Sequence, residues 1–336
     1  MILNADSVSW SILAALPSEP RRGRVHSVYR RTVNILCGDS LWVSLHPRGV
    51  PHNAYSISVD CVALGGSLAR RRDRFLDAYA GEIAQVSRSW IDIGDRNLRV
   101  SLRNARIWDG SLEPLRHVSR WNAGSAANLL GALAGQAGKE GPIQSPFLAG
   151  VLARRDGRTD STPMVAGGAV NSVLVVRVAR ILDDLALAWR TQDADLLASV
   201  VGNTIGLGLG VTPSGDDFLT GLLAASYVFS DRDSSPRNSP GDREFTCTLS
   251  AVIGPLAHST TAPSYFMLKA ALEGLYPEPL GGILSSLGRG DAARARDWVG
   301  KMLDLGATSG QDMLAGVLFW FEASGICERC HEETVH

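Results

Sequence analysis

The sequence predicts an α+β protein: an N-terminal, mostly antiparallel β-rich domain, then a larger helical domain with a glycine-rich loop at a helix N-terminus. Three observations carry this reading. Apolar residues alternate in the first third of the chain. Helical spacing dominates after about residue 121. A ten-residue pattern, S-G-x-D-x-L-x-G-x-L, occurs at both 214–223 and 309–318. The expected divisions are a β-rich domain over 1–120, a helical domain over 121–323 and a tail over 324–336.

In the first domain, Arg24 to Leu36 mixes β-branched and polar residues. Gly38-Asp39 then signals a turn into Leu41 to Leu45, so the pair reads as a hairpin. Ala54 to Val59 alternates, and Leu98 to Trp108 alternates again after the turn at Gly94-Asp95. Between them, Phe75 to Trp90 shows helical spacing, which predicts one helix inside the β-domain. Further along, helices are expected at Asn128 to Leu133, Val173 to Trp189 and Asp195 to Val201. Asp183 and Asp184 should lie on the wet side of the second. Ser230 to Arg243 is polar and proline-bearing and reads as a mobile loop. Helical texture resumes through Phe321, with Met313 to Phe321 a buried helix.

Composition removes several classes. The chain has 336 residues, 45% hydrophobic and 20% charged, with a formal net charge of −1. It is neither disordered nor a generic polybasic nucleic-acid binder. No apolar run approaches the ~18 residues of a membrane span. Met1 to Leu16 lacks a basic start and carries Asp6, so it does not read as a signal peptide. Five cysteines, three of them scattered (Cys37, Cys61 and Cys247), make no disulfide framework. A cytoplasmic protein with reduced thiols is expected. Three lysines (Lys139, Lys269 and Lys301) stand against thirty arginines, which leaves few candidates for Schiff-base or lysine-base chemistry. Genomic base composition explains the bias equally well. Residues 1–120 carry a net +6 and the remainder −7.

Each copy of the repeat has the form of a helix start. Ser214 and Ser309 read as N-caps, and Asp217 and Asp312 as the residues that reach back in an acidic capping box. Gly221 and Gly316 then permit close helix–helix approach. This structural reading accounts for most of the second copy. The first copy carries more. Gly206, Gly208, Gly210, Thr212 and Pro213 precede it, a glycine-rich approach to a helix start whose free N–H groups and dipole suit a phosphate or carboxylate. Gly210 to Gly215 has P-loop spacing, but Asp216 stands where the lysine belongs, and G-x-G-x-x-G does not fit either. With Asp217 engaged in the cap, Asp216 is spare to accept from an amide, hold a divalent ion or act as a base. His258 to Tyr265 contains Ser259, Thr260, Thr261 and Ser264 before an apolar helix; these hydroxyls are N-caps or donors to an anion.

Together, Gly206 to Gly221 (GLGLGVTPSGDDFLTG), Thr260 to Ser264 (TTAPS) and Gly306 to Gly316 (GATSGQDMLAG) resemble the AllH family, and the resemblance extends back to the strand-rich segment from Gly23. It implies a subunit of oxamate carbamoyltransferase that acts beside other subunits in allantoin and purine catabolism. The reaction implied interconverts oxalurate plus phosphate with oxamate plus carbamoyl phosphate. The residues fit such chemistry. Gly208, Gly210, Thr212, Ser214, Gly215, Thr260, Thr261, Ser309, Gly310 and Asp312 would line a small-anion site, and Asp216 or Asp217 would orient or deprotonate the amide. The two repeated helix starts should then face one another. The alternatives are an independent enzyme on another small carboxylate or amide, with Mg2+ at Asp216/Asp217, or a noncatalytic ligand-sensing or scaffold subunit.

Two further motifs carry blander readings. Cys327-Glu-Arg-Cys330-His331 matches a c-type haem signature and, with His336, a partial zinc set, but the expectation is a solvated tail without haem. Ala69 to Arg74 is basic but lacks any nucleic-acid reading module, so a solvated face or subunit contact is expected. Neither nucleic acid nor membrane is expected as a partner, and no metal ligand set is assigned.

Overall fold

The computed structural model describes residues 1–60, 75–76, 78–94, 98–116, 129–132, 134, 143–155, 172–230 and 240–324. The chain is α+β and divides into two compact units, Met1–Gly110 and Ser111–His336. The basic run at 69–74 and the cysteine-bearing tail lie outside the described residues, as do Asn128 and Leu133; residues 129–132 between them are helical.

The first unit is an eight-stranded barrel. Its strands are β1 (Ile2–Ser9), β2 (Arg21–Val28), β3 (Val33–Cys37), β4 (Leu41–Pro47), β5 (Ser56–Asp60), β6 (Ile83–Val86), β7 (Trp90–Ile93) and β8 (Leu98–Ser101), with a short β9 (Arg106–Trp108). Around the sheet the order is β5-β4-β3-β2-β6-β7-β8-β1, and β1 pairs back onto β5 to close it. Most pairings are antiparallel; β4–β5, β1–β8 and β1–β9 are parallel. Closure leaves no long unpaired edge among the described strands. The apolar members of the alternation fill the interior: Leu3, Val25, Ile35, Val43, Ile57, Val86, Ile91 and Val100 are all buried. The short helix α1 (Trp10–Ala15) adds Ile12 to this core.

The expected β3–β4 hairpin is present, turning at Gly38 with φ of +59°. Three expectations are corrected. Arg24 to Leu36 holds two strands, because Tyr29 N–H donates to the Thr32 carbonyl in a turn. Leu98 to Trp108 likewise splits into β8 and β9. The helix expected between Phe75 and Trp90 does not occur among the described residues: Ile83–Val86 is a strand between β2 and β7. Its residues alternate between exposed and buried, and in so short a segment that pattern also satisfies helical spacing. β1 itself carried no strand expectation, yet it closes the barrel.

The second unit is helical. Its described helices are α2 (Glu113–Arg116), α3 (Pro146–Arg155), α4 (Ser172–Thr191), α5 (Ala194–Thr204), α6 (Ser214–Phe229), α7 (Pro240–Leu256), α8 (Ala262–Leu272), α9 (Glu278–Gly288), α10 (Ala292–Leu303) and α11 (Ser309–Ala323). Asp183 is exposed and Asp184 half-buried on α4, as expected, with Asp183 paired to Arg154. The loop expected over Ser230 to Arg243 is shorter at its C-terminal end: Pro240 begins α7, where its missing N–H costs nothing. Residues 231–239 lie outside the described set.

Helices α6 and α11 form the centre and are buried around almost their whole circumference. That explains why they are apolar on all faces rather than amphipathic. Aromatic rings lock them to their neighbours. Phe218 stacks on Phe147 of α3 at 4.5 Å and meets Phe319 at 5.7 Å, while Trp320 stacks on Phe229 at 5.0 Å. No described helix is long and apolar enough to cross a membrane.

Candidate functional site

The repeated motif packs against itself. A Cβ placed on Gly221 would lie 1.9 Å from the Met313 carbonyl oxygen, and one on Gly316 would lie 2.1 Å from the Phe218 carbonyl oxygen. Phe218 and Met313 occupy the same position in the two copies, so the contact is reciprocal, as in a local twofold. Only glycine allows the backbones this close. The two helix starts therefore face one another, as the repeat suggested.

The duplication is longer than the motif. Asp193 caps α5 by accepting from Leu196 N–H at 2.9 Å, and Asp291 caps α10 by accepting from Arg294 N–H at 3.0 Å. Thr204 and Met302 follow at equal spacing, and their carbonyl oxygens receive Gly215 and Gly310, where a Cβ would intrude to 1.9 and 1.7 Å. Gly215 N–H donates to Leu207 O at 2.8 Å, and Gly310 N–H to Leu305 O at 3.1 Å. The unit is thus helix–connector–helix, α5–α6 and α10–α11. Sequence reasoning missed this extent because the first connector is three residues longer (Leu207 to Gly215 against Leu305 to Gly310). The signal lay in Asp193-Ala194, Val201-Gly202 and Leu207-Gly208, which match Asp291-Ala292, Val299-Gly300 and Leu305-Gly306 once that gap is allowed.

The capping-box reading is overturned. Ser214 and Ser309 are the first helical residues; Pro213 and Thr308 hold the N-cap positions, and neither makes a side-chain cap. Asp217 N–H donates to Pro213 O and Asp312 N–H to Thr308 O. Both carboxylates therefore lie one position too far along to reach back, and both side chains are fully buried. The free N–H groups expected at the start of α6 are also largely spent. Those of Gly215, Asp216 and Asp217 all have backbone acceptors.

Asp216 is not spare. Its carboxylate accepts from Gly206 N–H at 2.9 Å and from the Thr260 hydroxyl at 2.6 Å. Thr261 caps α8 and donates to the Val211 carbonyl at 2.6 Å. Thr260 and Thr261 thus fasten the glycine-rich connector to the start of α8. Burial raises the Asp216 pKa, and the bonds from Thr260 and Gly206, with the Ser264 hydroxyl nearby, oppose that. Gly208 and Gly210 carry φ of +118° and +112°, a conformation open to glycine. Between them Leu209 projects, 92% exposed.

Among the described residues, Asp217 is the buried carboxylate with both oxygens unpartnered. Thr212 and Ser309 stand beside it, but their hydroxyls bond to each other at 2.9 Å. Asp312 occupies the equivalent position in the second copy, with Ser214 and Thr308 beside it. One Asp312 oxygen accepts from the Ser145 hydroxyl at the start of α3; the other has no partner. Ser145 also accepts from Leu148 N–H at 2.9 Å, and the adjacent Gln311 side-chain oxygen accepts from Gln144 and Ser145 N–H. Three helix starts, those of α3, α6 and α11, thus meet at two buried carboxylates.

Burial, and for Asp217 also the charge of Asp312, favours the protonated form of each carboxyl. The Asp217 pKa is raised well above the ordinary carboxylate value, first by burial and then by the charge of Asp312. Burial pushes Asp312 up to about 7, against the hydroxyls of Ser145, Thr308 and Ser214. Of the expected site residues, the structure brings together Thr212, Ser214, Asp217, Ser309 and Asp312. It places Gly208 and Gly210 in the exposed connector, and Gly215 and Gly310 against backbone. Asp216, Thr260 and Thr261 hold the connector. Ser145 and Thr308 belong to the cluster and were missed; only the fold brings Ser145 to Asp312.

A strand-closed barrel joined in sequence to a helical unit built on a self-facing duplicated motif defines a two-unit α+β protein with an acidic, hydroxyl-lined centre. Family comparison places it further. Residues 204–321, from the end of α5 through the second motif, match the family described as "Oxamate carbamoyltransferase subunit AllH", and residues 4–107 match the "AllH family N-terminal domain". The chain belongs to the AllH family. No solved structure matches it.

Proposed function

We propose that this chain supplies the substrate site of an oxamate carbamoyltransferase, working beside other subunits. The reaction interconverts oxalurate plus phosphate with oxamate plus carbamoyl phosphate in purine and allantoin catabolism. The observation that carries this reading is the cluster of Asp217 and Asp312 at facing helix starts, within the segment that matches the transferase-subunit family. Unpartnered buried carboxylate oxygens are acceptors, and substrate amide and ureido N–H groups are donors. The surrounding hydroxyls of Thr212, Ser214, Thr308 and Ser309 are donors suited to phosphate and carboxylate oxygens. The magnesium alternative at Asp216/Asp217 has less support. Both Asp216 oxygens are engaged, and no cluster of three or more His, Cys, Asp or Glu suited to a metal occurs among the described residues.

The test is carbamoyl phosphate formation from oxalurate and phosphate, with this chain alone and then with its partner subunits. Turnover in the mixture that falls when Asp217 is changed to Asn, with assembly intact, supports the reading. Unchanged turnover in that variant assigns the chain a scaffold role. No turnover with all subunits folded removes the substrate assignment.

A further inference from the structure

We propose that Asp217 and Asp312 form a single acid–base pair that holds one proton between its two carboxyl groups and exchanges it with substrate through the Thr212 and Ser309 hydroxyls. The role assigned to the pair rests on the transfer reaction proposed above; its one-proton state does not.

The geometry requires a neutralising partner at this point. Two fully buried carboxylates occupy equivalent positions in helices whose backbones touch, and three of their four oxygens lack a partner. Charged groups on the packed elements do not serve. Asp216 is the further charge that acts on Asp217, and it is acidic. Arg154 of α3 binds Glu322 at the opposite end of α11. Lys269 lies in the last turn of α8, and Lys301 of α10 sits over the Trp298 ring. A second buried negative charge without a cation is costly, so the pair keeps a proton at neutral pH. The copies differ in one respect that assigns the proton. Ser145 donates to Asp312 and stabilises its charged form, while among the described residues neither Asp217 oxygen has a hydrogen-bond partner, and the nearby Thr212 and Ser309 hydroxyls bond to each other. Asp217 is the acid and Asp312 the carboxylate, with the proton shared by the pair as a unit.

One resident proton matches the proton balance of carbamoyl transfer. A phosphate oxygen attacks the carbamoyl carbon of oxalurate, the new C–O bond forms, and the C–N bond to the oxamate nitrogen breaks. Hydrogenphosphate loses one proton, and the departing nitrogen gains one to become the NH2 of oxamate. Asp312 takes the first and Asp217 gives the second. The pair ends the turnover with one proton, and its return from Asp312 to Asp217 resets the site. Thr212 and Ser309 are half-buried, bonded to each other beside Asp217, and Thr212 continues into the exposed connector. They are the hydroxyls through which a proton reaches a substrate on that side.

The experiment has an arm that needs no activity. Infrared difference spectra of the full chain at pH 7, wild type against Asp217→Asn, should show a protonated-carboxyl band in the wild type that the variant lacks. Absence of that band overturns the proposal. So does a Mg2+ or Mn2+ titration that raises the melting temperature of wild type but not of Asp217→Asn, which would make the site a cation site. In the assembled enzyme, Asp217→Asn and Asp312→Asn should each lower kcat on the order of 100-fold or more, and Thr212→Val should shift the pH profile of kcat. A wild-type assembly inactive on oxalurate would defeat the substrate reading while leaving the infrared result to decide the one-proton state.

Discussion

Thr212 and Ser309, 97 residues apart in the chain, share a hydroxyl–hydroxyl hydrogen bond of 2.9 Å that ties the start of α6 to the start of α11. Ser214 and Thr308 approach at 3.5 Å on the same seam. The polar ends of the two copies are joined by hydroxyls, and their apolar stretches by glycine against carbonyl. The geometry of the centre therefore depends on a packing interface within the chain.

Replacing Gly221 or Gly316 with Ala should unfold that interface. Either Cβ would lie about 2 Å from a backbone carbonyl oxygen that has no free rotation to escape. A cost of about 3 kcal/mol or more is expected, read as a lowered urea midpoint of the helical unit. Gly300→Ala is the control. It sits exposed in α10 with open space around its Cα and should gain about 0.5–1 kcal/mol instead.

Asp312→Asn should make stability less sensitive to alkaline pH. The folded pKa of Asp312 is raised to about 7 from an unfolded value near 3.8. Its contribution is fully present below the unfolded value and lost as pH rises through about 7. Asn keeps an acceptor for Ser145 and carries no charge, so the variant should gain on wild type between pH 5 and pH 8. Melting temperatures across that range test it; parallel curves would contradict the assignment.

The barrel should show the opposite slope. His52 is buried, with Nε2 against Ser7 Oγ at 2.8 Å, Nδ1 against Ser56 Oγ at 2.7 Å and its ring stacked on Trp108. Burial lowers its pKa from 6.5 to about 4. The buried neutral ring contributes stability above the unfolded value, and this is lost as pH falls from about 6.5 towards 4. The loss is about 3 kcal/mol. Following the barrel's unfolding between pH 7.5 and 4.5 in wild type and His52→Gln should reveal a flatter curve in the variant.

Ser145→Ala removes two bonds at once, the cap to Leu148 N–H and the donor to Asp312. A loss of about 1–2 kcal/mol is expected from the cap alone. The Asp312 pKa should also rise further, which carboxyl-carbon NMR titration would detect.

Fold class was legible where periodicity was local and long. α4 (Ser172–Thr191) and the Met313 to Phe321 stretch of α11 announce themselves by spacing and by unbroken hydrophobicity. β6 did not, because four residues cannot distinguish a period of two from 3.6 without knowing that β2 lies alongside. β1 did not, because its role is to meet β5 and β8, both far away in sequence. At the site, the repeat itself was legible, as was the facing of its two copies. Which aspartate was engaged was not. A one-residue shift in where the helix begins, with Pro213 rather than Ser214 at the N-cap, moves Asp217 from the capping position to the interior. Asp216 is then left to hold the connector. Such boundaries depend on backbone bonds accepted by the Leu207 and Pro213 carbonyls, which no local pattern encodes.

The longer first connector has a consequence for orientation. A paired frame with equal hydroxyls on both sides would meet the two ends of a bound molecule alike. The extra residues around Leu209 stand on one flank only, so the frame acquires a front and a back. A molecule whose ends differ, with a ureido group at one and a carboxylate at the other, would then meet unlike surroundings at its two ends. Three extra residues in one half thus add to the asymmetry that Ser145 already brings to the other.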